Sequence, residues 1–421
     1  MKNFKKLIFL LMVFVFSITA YSSGEDIPKR SFSEKLLATI DKTSWIKDST
    51  VVSPDFKNVA YIIRKNKDVA VMVNDKEERA YEGIGKDTMI FTPDSSKVAY
   101  VATKSGKWFV VKDGKEEEHF DGAGSIRFSP NGSKMAYVAQ QSKTFFVVLN
   151  GKKEPSFDYV GKPVFSPDGK RLVYPAKKGK DAFIVVDGKN GKPYEDIGEY
   201  PVVFSPDSSK LSYAIKKGNG WYIVIDNGYT DGPYDGLSSI VFSPDSRHFA
   251  YKAKKGNTFI LVIDGKKSQV YDAVGNIVFN TDGSKIAYTF RKEGKWGINI
   301  DGKEVKPYDL AADLIYSNDG KQYAFVAFKN DTWAVVANGR EGYKYDSIGK
   351  SILTFSADNK YFAYNAKKGN YWTVVVNNNE GGLYDGIVTL GGGGIAFDGS
   401  DGIHYIALKN DSYYLVEESF E

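Results

Sequence analysis

The sequence predicts an all-β chain: a β-propeller of about ten four-stranded blades, each about 38 residues long, closed by an N-terminal strand. Three observations carry this. First, an aromatic residue followed by an acid recurs nine times, at Tyr81-Glu82, Phe120-Asp121, Phe157-Asp158, Tyr194-Glu195, Tyr234-Asp235, Tyr271-Asp272, Tyr308-Asp309, Tyr345-Asp346 and Tyr384-Asp385. Second, a variant of Phe-Ser-Pro-Asp recurs with the same period, its turn acid (once an amide) at Asp55 before the first pair and then between successive pairs at Asp94, Asn131, Asp168, Asp207, Asp245, Asp282, Asp319 and Asp358, spaced 37 to 39 residues apart. Third, the central strands of each unit are apolar on both faces, as in Val98 to Ala102 and Trp108 to Val111. A one-sided antiparallel sheet would alternate. Sheets stacked between other sheets would not.

At the N-terminus, Lys2, Lys5 and Lys6 precede an apolar run from Leu7 to Phe16, and Ala20-Tyr21-Ser22 offers small residues for cleavage. Residues 1–22 therefore read as a secretory signal peptide, too short in its apolar part to span a bilayer. Residues 23–43 read as a leader packing across one face. Helix formers gather into no long amphipathic run, Glu34–Ile40 being the one stretch that comes near to one. The propeller is expected to occupy residues 44–421.

One unit shows the strand logic. Val164-Phe165-Ser166 ends strand a. Pro167-Asp168-Gly169 turns the chain, with Pro presetting φ, Asp bonding the nearby backbone and Gly tolerating positive φ. Arg171 to Ala176 is strand b, Lys177 to Lys180 a turn, Ala182 to Val186 strand c, and Asp187-Gly188 a hairpin turn. Tyr194 to Ile197 is expected as strand d. The slot that opens strand c holds Val69, Trp108, Phe145, Ala182, Trp221, Phe259, Trp296, Trp333 and Trp372, a column read as packing between blades rather than as a ligand platform. A small column on strand b, including Ala60, Ala99, Ala136 and Ala250, makes room for bulky neighbours.

The tenth unit is degenerate. Gly391–Gly394 leads into strands at Gly402–Leu408 and Ser412–Val416, and the chain stops before a fourth strand. Ser44-Trp45-Ile46-Lys47 is the expected closing strand, paired with the sheet that holds Ser412–Val416. Two smaller propellers are the alternative to one ring.

Composition narrows the function. The formal charge of +5 falls by three with the signal, so the mature chain offers no global attraction for nucleic acid. There is no Cys, which excludes disulfides, thiol nucleophiles and a lipidated N-terminal Cys. Together with the signal, this suggests a bacterial periplasmic or secreted protein, monomeric and without a transmembrane anchor after cleavage.

The strings Phe128-Ser-Pro-Asn-Gly-Ser-Lys-Met-Ala-Tyr137 and Phe165-Ser-Pro-Asp-Gly-Lys-Arg-Leu-Val-Tyr174 resemble the WD-like propeller repeat of the TolB family. The resemblance covers roughly residues 50–410 and is specific for fold. It implies a role as a protein-binding scaffold, as in the family's periplasmic members. The chain departs from TolB itself, since no α/β domain precedes its repeats.

Catalytic signatures do not stand out. No G-x-S-x-G elbow occurs, and His119, His248 and His404 show no ligand spacing. No cofactor or metal is expected. The repeated turn acids are explained by Asx-turns. The loops Asp226–Gly232 and Asp398–Gly402 resemble calcium-binding oxygen clusters but lack the EF-hand spacing. The informative pattern is the b–c turn, which carries Lys104, Lys107, Lys177, Lys178, Lys216, Lys217, Lys254, Lys255, Lys292, Lys295, Lys367 and Lys368. All b–c turns of a meander emerge on one face. These lysines therefore define a candidate binding face for a protein or envelope glycan on a non-enzymatic scaffold. A carbohydrate-active hydrolase or lyase using loop carboxylates is the alternative.

Overall fold

The computed structural model describes residues 29–198, 202–226, 228–238, 240–350 and 353–420. The expected signal peptide lies outside the described residues. The strands pair into ten antiparallel sheets, each ordered a-b-c-d. Blade 1 shows the plain form, with a at Val51–Val52, b at Val59–Lys65, c at Asp68–Val73 and d at Lys76–Glu77. In several blades strand a is split in two, as at Tyr159–Val160 and Val164–Phe165 of blade 4. The a strands of neighbouring blades touch each other and line the centre. The d strands form the rim.

Ten apolar clusters lie between the blades, one at each interface. An open array of ten blades would have nine interfaces. The tenth cluster joins Ile406, Tyr413 and Leu415 of blade 10 to Val52, Val59 and Tyr61 of blade 1. The ring is therefore single and closed, and the alternative of two smaller propellers is set aside.

A repeated aromatic contact recurs at most of the interfaces. The aromatic of the aromatic–acid pair packs against the strand-b aromatic of the next blade, as in Tyr81–Tyr100, Phe120–Tyr137, Phe157–Tyr174, Tyr308–Phe325, Tyr345–Tyr364 and Tyr384–Tyr405. Ring centroids are 5.5 Å apart in Tyr308–Phe325 and 6.4 Å in Phe157–Tyr174, both near edge-to-face, the geometry the ring quadrupole favours. At the closing seam Tyr413 meets Tyr61 at 6.0 Å. The small strand-b column is fully buried, with Ala60, Ala99, Ala136 and Ala250 at 0 % exposure. The Trp column is half-buried and packs on these clusters. It is core packing that remains partly open to solvent.

Three expectations are corrected. The closing strand is Arg30–Thr39, which pairs antiparallel with Ser412–Phe420 as the outermost strand of blade 10. Trp45 instead bridges Ile63 in blade 1, so the segment 44–47 belongs to the first sheet. Residues 30–39, expected as leader, are thus a β-strand. Leu37 and Ala38 are buried because pairing with a nine-residue edge offers more than an isolated helical turn can. Finally, strand d ends at the aromatic rather than beginning there. Tyr194 bridges Ala182 of its own blade, whereas Asp196–Ile197 pairs with Leu211–Lys217 of the next. The aromatic–acid pair therefore straddles the blade boundary.

The glycine run of the tenth unit serves the seam. At Gly391, φ is +65° and an added Cβ would lie 2.2 Å from the Thr50 carbonyl oxygen. Only glycine permits this approach of blade 10 to the start of blade 1.

Candidate functional site

In an a-b-c-d meander the b–c turns and the d–a connectors leave on the same face. The a–b and c–d turns occupy the other. The two faces are built by different chemistry.

On the a–b face the Ser-Pro-Asp turn is a closed hydrogen-bond unit. In blade 4, Ser166 Oγ donates to Asp168 Oδ1 at 2.6 Å, accepts from the Arg171 amide at 3.0 Å, and Asp168 Oδ1 accepts from the Lys170 amide at 3.0 Å. Blades 5 and 8 repeat it around Ser205-Asp207 and Ser317-Asp319. The serine hydroxyl, and then the backbone amide, hold Asp168, Asp245 and Asp319 below the usual carboxylate range. Asp207 is held far below it, chiefly by the Ser205 hydroxyl. These aspartates are structural, as the Asx-turn reading expects.

The sign of the pH dependence follows. A carboxyl with a depressed folded pKa stabilises the fold above its unfolded value, near pH 4, and loses that contribution as pH falls through the folded value. Thermal melts should therefore show stability dropping on acidification below about pH 4. The D168N/D207N/D245N variant should show a shallower drop, and an unchanged acid limb would separate the turns from acid unfolding.

The b–c face carries the twelve predicted lysines. Eleven are exposed, and Lys367 is half-buried. The same face also carries the nine acids of the aromatic–acid pairs. Each acid caps the b–c turn of the next blade by accepting a turn amide. Glu82 takes Ser105 N, Asp121 Ser142 N, Asp158 Gly179 N, Glu195 Gly218 N, Asp235 Gly256 N, Asp272 Gly294 N, Asp309 Asn330 N, Asp346 Gly369 N and Asp385 Asn410 N. Distances run from 2.6 Å at Asp121 to 3.4 Å at Asp309. The meander topology was the signal for this, since d–a connectors must share the face of the b–c turns.

Two of these acids, with Asp196 and Glu380, neutralise part of the lysine ring. Lys107 pairs with Asp121 at 2.6 Å, Lys295 with Asp309 at 2.5 Å, Lys177 with Asp196 at 2.8 Å and Lys368 with Glu380 at 3.5 Å. Lys104, Lys178, Lys216, Lys217, Lys254, Lys255, Lys292 and Lys367 form no ion pair among the described residues. Lys216, Lys217, Lys254 and Lys255 bring the unpaired charge together on blades 5 and 6. A groove of about 710 Å³ opens there, lined by Lys217, Gly220, Tyr222, Pro233, Lys255 and Lys267 among others.

The two loops with calcium-like spacing are occupied otherwise. Asp226 Oδ1 accepts from the Leu211 amide at 2.9 Å. Asp231 accepts the hydroxyls of Tyr234 and Tyr251, the latter at 2.5 Å, and lies 3.6 Å from Lys267 Nζ. Burial first, and then its bond to Asp231, push the Tyr251 hydroxyl far above the ordinary tyrosine range. Asp398 faces His404 Nδ1 at 2.8 Å, and His404 Nε2 lies 2.7 Å from the Asp55 carbonyl oxygen across the closing seam. His119 stacks on Phe109 at 4.1 Å, and His248 Nδ1 meets Asp264 at 2.7 Å. Among the described residues, no group of three or more His, Asp or Glu is placed to hold a metal ion.

No family model matches the chain, and no curated protein does. Solved structures show likenesses at low identity. A eukaryotic initiation factor is 12% identical, with a TM-score of 0.47, over 74% of this chain and 91% of that one. TolB from Acinetobacter baumannii is 20% identical, with a TM-score of 0.29, over 52% of this chain and 66% of its own. The Dos1 propeller is 13% identical, with a TM-score of 0.39, over 69% and 90%. The propeller architecture of this chain stands on its own strand pairing.

Proposed function

We propose that this chain is a non-enzymatic scaffold of the bacterial periplasm or cell exterior that binds a protein or glycan partner on its b–c face. The observation that carries the reading is the division of labour among its charges. The turn aspartates and the acids after the aromatics are held by backbone amides, which leaves eight of the twelve lysines of one face without an ion pair among the described residues and able to meet a partner. A ring of ten blades also offers a broad surface on which nine of the b–c turns are fixed by a side-chain cap. Such pre-organisation favours binding, because little ordering remains to be done on contact.

The experiment is a binding assay against partners retained from the native envelope, with salt as the first variable. Exposed charges are screened beyond about 8 Å at physiological ionic strength, so affinity should fall as salt rises through that range. Neutralising Lys177, Lys178, Lys216, Lys217, Lys254 and Lys255 together should weaken binding while leaving the melting temperature nearly unchanged, since exposed lysines contribute little to stability. Changing Lys170 and Lys210 on the a–b face should matter less. Binding indifferent to salt and to these substitutions would remove the basic face from the reading.

A further inference from the structure

We infer that the groove between blades 5 and 6 is a subsite for an anionic saccharide, a sugar ring bearing a carboxylate or phosphate. This deepens the proposed function and rests on it, because Lys217 and Lys255 of the b–c turns line the groove.

The groove is a built feature. Strand c of blade 5 begins at Gly220, where other blades place Lys107, Lys295 or Tyr371. A Cβ at Gly220 would meet Pro233 Cβ at 2.3 Å, and a Cβ at Gly232 would meet the Tyr222 ring at 2.6 Å. The two glycines thus let Pro233 and Tyr222 close against the backbone, and both line the groove. A pyranose ring has an apolar C–H face that packs on such a surface, and polar groups around its edge that do not.

Charge selects the sign of the ligand. Lys217 and Lys255 come from equivalent turns of adjacent blades, line the same groove and form no ion pair among the described residues. The carboxyl of Asp235, also in the lining, is engaged by the Gly256 amide at 2.6 Å. Lys267 is held from behind by Asp231 at 3.6 Å. The volume, about 710 Å³, falls in the range of small-molecule sites. An open groove with a flat apolar wall and two unmatched cations suits a short acidic oligosaccharide better than a neutral one. An acidic peptide would satisfy the lysines but would leave the Tyr222–Pro233 wall without a flat partner.

The test uses isothermal titration of the mature chain, at low salt, with four probes: a hexagalacturonate, a phosphate-bearing oligosaccharide, maltohexaose and hexaglutamate. One or both anionic saccharides should bind, and their comparison separates carboxylate from phosphate. Maltohexaose and hexaglutamate should bind at least about tenfold more weakly. The K217Q/K255Q variant should lose about tenfold or more in affinity, the loss of a charge-assisted hydrogen bond. The K104Q/K107Q/K367Q/K368Q variant should bind as the parent does. Equal binding of hexaglutamate would make the groove a peptide site and overturn the assignment. Silence with both anionic saccharides, or full affinity in K217Q/K255Q, would overturn it too. The broader face model would survive these failures if the native partner still responds to the larger set of lysines.

Discussion

Deleting residues 30–39 should open the ring and abolish its single cooperative melting transition. The strand they form is the outer member of blade 10, and its removal exposes the whole edge of Ser412–Phe420. It also removes Leu37 and Ala38 from the seam cluster. Most sharply, it removes Arg30, whose Nε donates to Glu418 Oε2 at 2.6 Å and whose guanidinium also bonds the Val374 and Asn379 carbonyls of blade 9. The side chains of Arg30 and Glu418 are 6% and 2% exposed. Stripping one partner from a buried ion pair typically costs about 3–5 kcal/mol, because the other charge stays buried and unpaired. Arg30→Ala alone should therefore lower stability by about that amount in urea denaturation, and the deletion by more. A peptide spanning residues 29–43, added in trans, should restore the transition. A deletion variant that melts like the parent would show that the ring does not depend on this strand.

Phe120→Ala should be the most damaging substitution away from the seam, at about 3–5 kcal/mol. Phe120 is 1% exposed. It packs at 5.6 Å on Phe146 and at 6.3 Å on Tyr137, both of blade 3, while its own backbone bridges Trp108 of blade 2. Truncation leaves a cavity between two sheets that cannot collapse without shifting one blade against the next. In a repeat array the interface terms hold neighbours together, so a weakened interface should also blunt cooperativity. Chemical denaturation reads both effects through the midpoint and the m-value. A loss below about 1 kcal/mol would mean that the aromatic relay contributes less than its burial implies.

Much of this architecture was legible in the repeat. The period gave the blades, the two-sided apolar strands gave their stacking, and Ser-Pro-Asp gave turns whose hydrogen bonds the structure repeats blade after blade. That the last blade borrows a strand from the N-terminus was also legible, from the missing fourth strand after Val416. Which strand does so was not. Arg30 to Thr39 mixes Ser, Glu, Lys and Leu without strict alternation, and its partner edge lies at the far end of the chain. Trp45 looked more strand-like, but it belongs to the sheet nearest to it in sequence. The candidate site was legible in its lysines and illegible in its counter-charges. Glu82, Asp121 and their equivalents meet the turns of the following blade, a relation set by the d–a crossover rather than by any local motif. The groove depends on Gly220 and Gly232, whose meaning lies in the absent side chain and shows only when Pro233 and Tyr222 are seen beside them.

The placement of the closing strand has a kinetic consequence. Arg30 and Glu418 are 388 residues apart, so the pairing that seals the circle joins strands from opposite ends of the described residues. Any chain synthesised from its N-terminus must carry residues 30–39 as an unsatisfied strand until the final hairpin has emerged. Nine blades can condense on their neighbours as they are made. The tenth must wait for the oldest part of the nascent chain to return to the newest. Search over so long a loop is slow. Refolding should therefore end in a late phase sensed at the seam and not at the interior interfaces. During that wait Leu37 and Ile40 lack their partners in the seam cluster.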